Sequence, residues 1–274
     1  MISVHGKQIN SFNYPGGEVH ISSETAILGA TVRADLRSSN DIMELLIFAD
    51  AYHRRFNGIP LKLKIPYLPY ARQDRVANNG DPLSVKVMAD LINSCKAESV
   101  EIWDCHSDVG LALINNVVHV PQHHFVRVFQ DGPAVMIAPD AGAQKKTLKC
   151  AQEFETTQVV MATKHRDTRT GEITNTTIDG VIPASGHLMV VDDICDGGRT
   201  FIELAKAIYN RGLFTKGLNA LSLYVTHGIF SKGVTELFQY YDHIYTANPW
   251  SSVTVKVPAI ENLVFEVSRN QSVS

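Results

Sequence analysis

The run Met189-Val190-Val191-Asp192-Asp193-Ile194-Cys195-Asp196-Gly197-Gly198-Arg199-Thr200 sets two adjacent carboxylates at the end of an apolar stretch. A third acid, a glycine pair and a helical pattern beginning near Phe201 follow. This order suits a sugar phosphate. In open α/β sheets ligands bind beyond the carboxyl ends of the strands, and a turn entering a helix N-terminus offers unpaired N–H groups to a phosphate. Asp192 and Asp193 are then placed to accept hydrogen bonds from vicinal sugar hydroxyls or to hold a divalent cation. An Asp-Asp pair alone reads as a solvated turn; the attached Asp196 to Thr200 loop and helix turn that reading toward a ligand.

A second group of candidates lies in Ile65-Pro66-Tyr67-Leu68-Pro69-Tyr70-Ala71-Arg72-Gln73-Asp74-Arg75. Proline fixes φ and restricts the residue before it, so this segment is a stiff platform after a strand. From it Arg72 can grip phosphate oxygens with its planar fork, while the Gln73 amide can meet a base or a sugar. A third group, Lys164 and Arg166, opens a polar segment that runs to Asn175. Long charged loops are usually solvated surface, but lids are a common reason for a long loop leaving a strand.

These groups need elements to hold them. Alternating strand-like and helix-like segments predict a mostly parallel sheet covered by helices in each half. Strands are expected at 26–32, 61–67 and 100–103 in the first half, with helices at 42–53 and 84–94. The second half is expected to contain strands at 134–138, 159–163, 188–193 and 221–225, and helices at 145–154 and 201–210. The halves read as divergent copies of one plan, divided at about residue 125 into domains 1–125 and 126–274.

The chain has 274 residues, enough for two ordinary α/β domains. A formal charge of −3 offers no electrostatic case for nucleic acid as a partner. The sequence contains no apolar run long enough to span a membrane and no export signal near Met1, so a cytoplasmic protein is expected. Cys95, Cys105, Cys150 and Cys195 are far apart and form no C-x-x-C pair, which predicts reduced thiols and no zinc site or disulfide framework.

The Asp192 to Thr200 stretch resembles the ribose-phosphate motif of phosphoribosyltransferases and phosphoribosyl pyrophosphate synthetases. The string Pro66-Tyr67-Leu68-Pro69-Tyr70-Ala71-Arg72-Gln73-Asp74-Arg75 is far more specific and resembles the signature of the synthetases, the ribose-phosphate pyrophosphokinase family. Other resemblances follow in family order over residues 12 to 250. Tyr14-Pro15-Gly16-Gly17-Glu18 is similar to a segment that reaches the ATP of a neighbouring subunit, with Gly16 where an acid is usual. Asn40 to Ala51 is similar to a family helix, Trp103-Asp104-Cys105-His106-Ser107 to a metal segment, and Ala138-Pro139-Asp140-Ala141-Gly142 to a turn. Thr163-Lys164-His165-Arg166 falls at the catalytic cationic loop, and Thr226 to Ser231 at a further segment near the sugar phosphate.

The resemblance implies two similar domains of the type I phosphoribosyltransferase fold. It also implies Mg²⁺-dependent transfer of the β,γ-diphosphate of ATP to the anomeric hydroxyl of ribose 5-phosphate, within a homo-oligomer from dimer to hexamer. ATP would be met by Tyr14, Glu18, Arg72, Gln73, Asp74 and His106, and magnesium by His106 and Asp140. Lys164 and Arg166 would be catalytic. The acceptor would be held by Asp192, Asp193, Asp196, Gly197, Gly198, Arg199 and Thr200. Where the family reads Asp-Thr-x-Gly-Thr, this chain has Gly197 and Arg199. The loss of a side chain at 197 is expected to widen the entrance, and Arg199 to neutralise a second phosphate, which suits a larger 5′-substituted ribose such as ADP-ribose. A phosphoribosyltransferase would leave the Arg72 string idle. A non-catalytic regulatory homologue would not need the cationic loop.

Overall fold

The computed structural model describes residues 1–22, 31–129, 132–154, 157–166, 173–210, 212, 214, 218–250, 253–256 and 260–269, with backbone only at 164–166 and 173–176. The chain divides into two units, Met1–Pro121 and Gln122–Ser274.

The first unit opens with β1 (Ile2–Val4) and β2 (Lys7–Gln8), joined by His5 and Gly6, both at positive φ of 50° and 76°. Paired positive φ values are the geometry of the tightest hairpin turn. β3 (Ser11–Asn13) and β4 (Val19–Ile21) form a separate hairpin. β5 (Thr31–Ala34), α1 (Ser39–Arg55), β6 (Lys62–Ile65), α2 (Ser84–Ser94), β7 (Ser99–Trp103), α3 (Asp108–Leu113) and β8 (Val117–Val120) complete the unit. Its sheet has the order β2-β1-β5-β6-β7-β8.

Local sequence explains these elements. Ser38 caps α1 by accepting the Asp41 N–H on its hydroxyl at 3.2 Å, satisfying one of the unpaired donors at a helix start. Leu45, Phe48, Ala49 and Tyr52 of α1 recur at helical spacing, as do Val85, Met88, Ala89 and Ile92 of α2, and all are buried. They meet Val32, Ala34, Leu63, Ile65, Val100 and Ile102 of the strands in one core. Strand alternation sends Arg33, Lys64 and Glu101 the other way, with both cations over the Trp103 ring at 5.4 and 4.7 Å.

The second unit runs α4 (Gln122–Val126), β9 (Val135–Ala138), α5 (Gln144–Ala151), β10 (Gln158–Arg166), β11 (Ile173–Asp179), β12 (Gly186–Cys195), α6 (Arg199–Asn210), β13 (Asn219–Gly228), β14 (His243–Pro249) and β15 (Phe265–Glu266). The sheet order is β11-β10-β9-β12-β13-β14-β15. β10, β9, β12, β13 and β14 are parallel. Successive strands leave β9 in opposite directions, so a topological switch point lies between β9 and β12, the place where open α/β sheets bind ligands.

The expected repetition is visible in strand order: β2-β1-β5-β6-β7 in one sheet has the same sequence of neighbours as β10-β9-β12-β13-β14 in the other. The copies differ at their start. In the second unit a helix crosses from β9 to β10, whereas in the first β1 turns straight back into β2 and runs antiparallel to β5. Two residues between β1 and β2 leave no length for a parallel crossover.

Several expected boundaries are corrected. The strand expected over 26–32 appears as β5 at Thr31–Ala34, and 26–30 lie outside the described residues. The described ends of the polar segment from Lys164 to Asn175, expected as a lid loop, are strand. β10 extends to Arg166 and pairs antiparallel with β11 from Ile173, leaving 167–172 outside the described residues. The β-branched Ile173, Thr174, Thr176, Thr177 and Ile178 favour strand over a solvated loop. No helix among the described residues is long and apolar enough to cross a membrane.

All four cysteines are buried and free. Burial pushes the Cys95 thiol up to about 11, and burial together with Asp192 and Asp196 pushes Cys195 far upward. Thiolate is the reactive species. Native protein at pH 8 should therefore release less than one equivalent of chromophore from a thiol reagent, and four after denaturation; fast native labelling would contradict the packing around these residues.

Candidate functional site

The second unit gathers four of the expected motifs at one edge of its sheet. Asp140 follows β9, Lys164 to Arg166 end β10, Asp192 and Asp193 lie near the end of β12, and Thr226 to Gly228 end β13. These strands are neighbours and parallel, so residues separated by as many as 88 positions share one rim.

Asp193 is 7% exposed, and an ionised carboxylate so far from water requires a counter-charge. Lys146 supplies it from α5, its Nζ 3.3 Å from Asp193 Oδ2. The pair spans the switch point between β9 and β12. Lys146 sits in the first turn of its helix, where the macrodipole disfavours a cation, and the carboxylate across the crevice offsets that penalty. Beneath the pair, the buried Gln122 donates from Nε2 to the Asp192 carbonyl at 2.6 Å and lies with Oε1 3.6 Å from the Cys150 thiol. Asp192 turns its own Oδ1 back to accept the Asp193 N–H at 2.9 Å. Asp140 Oδ1 accepts the Ala143 N–H at 3.1 Å, which fixes the carboxylate at the head of α5.

The loop after β12 is shorter than expected. α6 begins at Arg199, placing Arg199 and Thr200 in its first turn. Gly198, buried at φ +77°, makes the bend, and its carbonyl accepts the Phe201 and Ile202 N–H groups at 3.0 and 3.1 Å. The twelve-residue helix thus starts within a few residues of the end of β12, with its Phe201 and Ile202 N–H groups taken by Gly198. Arg199 is exposed, a second cation set against the dipole of its helix.

A neighbouring turn holds this loop in place. Ile229 and Phe230 both donate to the Cys195 carbonyl, at 2.9 and 3.0 Å. Ser231 donates from its backbone to the Asp196 carbonyl at 3.1 Å and from its hydroxyl to Asp196 Oδ1 at 2.6 Å. Phe230 is buried at φ +47°, and a Cβ on Gly228 would lie 2.3 Å from its ring, so glycine is obligatory there. The next residue of the turn borders the entrance expected to be widened. A Cβ on Gly197 would lie in ordinary van der Waals contact with the Lys232 stem, with Cδ and Cε at 3.6 Å. The space beside Gly197 is therefore flanked by Lys232.

The first unit presents its candidates on the adjacent ends of β6 and β7, which are parallel with Ile65 opposite Ile102. Pro66 accepts the Trp103 N–H at 3.1 Å, joining the two strand-end loops. Leu68 and Ala71 are buried and anchor the platform, Tyr70 turns it at φ +63°, and Arg72 and Gln73 are exposed beyond. Asp74 is partly buried. His106 is exposed one loop away, following a buried Asp104 at φ +35°. Strained non-glycine backbone of this kind clusters at functional loops. Tyr14 and Glu18 are exposed at the β3–β4 turn, where the Tyr14 ring lies 5.1 Å from Phe12 and 5.7 Å from His20.

Sequence reasoning missed Lys146, Gln122 and Lys232. Lys146 had a signal, since a lysine in the first helical turn after a strand-end acid needs an anion to offset the helix dipole. Gln122 and Lys232 had none, because their partners are remote in the chain. The expected metal residues His106 and Asp140 belong to different units, and no group of three or more His, Cys, Asp or Glu among the described residues is arranged to hold a metal.

Residues 2–95 match the family model for the N-terminal domain of ribose phosphate pyrophosphokinase. The chain is 26% identical over 250 residues to a ribose-phosphate pyrophosphokinase of Ureaplasma parvum, covering 87% of this chain and 73% of that protein. It is 30% identical to those of Cereibacter sphaeroides and Brucella melitensis over 70% of this chain, but spans only 57% and 61% of their lengths. Its fold is similar to the crystal structure of phosphoribosylpyrophosphate synthetase from Mycobacterium smegmatis, with a TM-score of 0.71 at 20% identity over 85% of this chain and 77% of that one. Residues 2–95 thus match the N-terminal domain of ribose phosphate pyrophosphokinase, the chain as a whole is similar to ribose-phosphate pyrophosphokinases, and its two-unit α/β fold is that of a phosphoribosylpyrophosphate synthetase.

Proposed function

We propose that this protein is a diphosphokinase that transfers the β,γ-diphosphate of ATP to the anomeric hydroxyl of ribose 5-phosphate, giving phosphoribosyl pyrophosphate and AMP. The observation that carries the reading is the rim of the second unit, where a glycine turn and helix N-terminus stand beside two aspartates at a switch point. A 5-phosphate would lie on the N–H groups at the start of α6, with Thr200 beside it. Asp192 and Asp193 would then accept from the ribose hydroxyls, which aims the anomeric oxygen away from the loop. That oxygen would bond to the β-phosphorus as its hydroxyl proton passes to solvent, while the bridge to the α-phosphate breaks and the bridging oxygen leaves with AMP.

Arg72, Gln73 and Asp74, with His106, Tyr14 and Glu18, would hold ATP, the last two reaching a neighbouring copy in a homo-oligomer. Lys164 and Arg166, on the end of β10 next to β9, would meet charge that develops on the transferring diphosphate. Magnesium fits the donor set as a substrate-borne ion. It commonly takes only one or two protein ligands and completes its shell with phosphate and water, so the Asp140 carboxylate would be one such ligand in the second unit, and His106, through water, is the candidate of the first. When bound it would neutralise the polyphosphate.

A second reading, the same transfer to a larger 5′-substituted ribose such as ADP-ribose, is favoured by the exposed Arg199 in the first turn of α6. A phosphoribosyltransferase or a non-catalytic homologue has no comparable use for both the Arg72 platform and the β10 cations.

The decisive assay offers ATP and Mg²⁺ with ribose 5-phosphate, ADP-ribose or free ribose, and reads AMP together with the mass of the product. Ribose 5-phosphate should give AMP and a product heavier by a diphosphate; no acceptor-dependent AMP would overturn the proposal. Lys164→Ala should lower kcat about 100-fold while ATP affinity shifts only a few fold, and normal turnover would remove the β10 cations from the mechanism. Asp192→Asn and Asp193→Asn should weaken acceptor use more than ATP binding, and unchanged acceptor kinetics in both would reassign them. For the second reading, Arg199→Gly should lower the preference for ADP-ribose over ribose 5-phosphate about 10-fold or more. An unmodified protein that ignores ADP-ribose would exclude it.

A further inference from the structure

We infer that Lys232 is a specificity-determining residue that places its ammonium on the acceptor's phosphate from outside the Asp196–Thr200 loop, an inference that rests on the diphosphokinase reading. Position 197 carries no side chain, and the space above it is where the Lys232 stem lies, with Cγ, Cδ and Cε 3.6 to 3.9 Å from the place a Cβ would occupy. One bond leads from Cε to the ammonium along an unbranched chain, so packing the methylenes on Gly197 keeps the head at the mouth of the loop. Lys232 is exposed, and no hydrogen bond or ion pair engages it among the described residues.

The backbone beneath Lys232 is unusually well fixed for a surface turn. Phe230 and Gly233 close a tight turn around it, with Gly233 donating to the Phe230 carbonyl at 2.8 Å. The three residues before Lys232 are hydrogen-bonded to Cys195 and Asp196, and Phe230 is buried in the core of the unit. A cation on such a base loses little freedom when it engages an anion.

Charge gives it a purpose. Asp192, Asp193 and Asp196 crowd the loop, and a phosphate brought beside three carboxylates is repelled unless cations stand nearer to it. Lys146 is already engaged by Asp193. Arg199, in the first turn of α6, and Lys232, on the neighbouring turn, flank the glycine pair and bring positive charge to the loop that its own acids lack. The substrate class selected is a phosphorylated pentose over its unphosphorylated form.

The test compares Lys232→Ala, Lys232→Arg and Gly197→Val with the unmodified protein. Steady-state kinetics with ribose 5-phosphate and calorimetric binding of ribose 5-phosphate without ATP are measured for each. Lys232→Ala should raise acceptor KM and Kd about 10-fold or more, the loss expected of a charge-assisted contact, with kcat and the KM for ATP changed less than about 3-fold. Lys232→Arg should restore most of the affinity. Gly197→Val, whose methyls push the stem aside, should reproduce the alanine variant without removing the charge. Equal acceptor affinity in Lys232→Ala and the unmodified protein overturns the inference while leaving the diphosphokinase reading intact. Absence of acceptor-dependent AMP, with calorimetric binding that still depends on Lys232, overturns that reading and leaves the inference standing; no binding and no turnover overturn both.

Discussion

A carboxylate buried at the end of a strand cannot stay ionised without a counter-charge close by, and the ion pair between Asp193 and Lys146 meets that demand here. Much of the second unit is arranged around it. The lysine must come from the helix after β9, so α5 starts beside β12 with a cation in a turn where its dipole disfavours one. The strand must not slide, and Gln122 holds the carbonyl of Asp192 from the side facing the core. Replacing such a pair with apolar residues often costs no stability. Its place at the switch point between β9 and β12 therefore fits a requirement of the proposed site more than one of the fold.

The loop beyond the pair obeys a second constraint, close packing. Gly228 must be glycine because the Phe230 ring lies against its Cα, and Phe230 accepts a left-handed backbone because its side chain is buried in return. That exchange turns the chain sharply enough for Ile229, Phe230 and Ser231 to clip onto Cys195 and Asp196. The buried Cys195 thiol, held far above its usual range by burial and by Asp192 and Asp196, is filler in this junction and not a nucleophile.

The two units show how one strand order tolerates a change in connection. In the second, the crossover through α5 brings Lys146 and Asp140 to the switch point. In the first, the equivalent step is the tight His5–Gly6 turn, with no helix in the connection from β1 to β2. Its candidate groups stand instead on the ends of β6 and β7, on a platform stiffened by Pro66 and Pro69 and bent at Tyr70. The division of chemistry between the units follows: an arginine and a glutamine on a rigid loop in one, acids around a helix N-terminus in the other.

The sequence by itself determined the likeness to ribose-phosphate pyrophosphokinases, the α/β class, the helices α1 and α2 and the identity of the motif residues. Helical spacing of apolar residues, strand-ending prolines and a glycine turn are local signals, legible wherever the chain goes. It misjudged the polar stretch after Thr163, since charge suggested a loop where β-branched residues and a partner strand made a hairpin. It read Gly197 as an opening and could not show that the side chain bordering that space belongs to Lys232, 35 positions away. Only the tertiary structure decided that Asp140, Lys164, Asp192 and Thr226 share one rim, that Asp193 is paired with Lys146, and that Gln122 fixes the strand between them. Those facts depend on strand order and on burial, which create the demand for each partner only once the chain has folded.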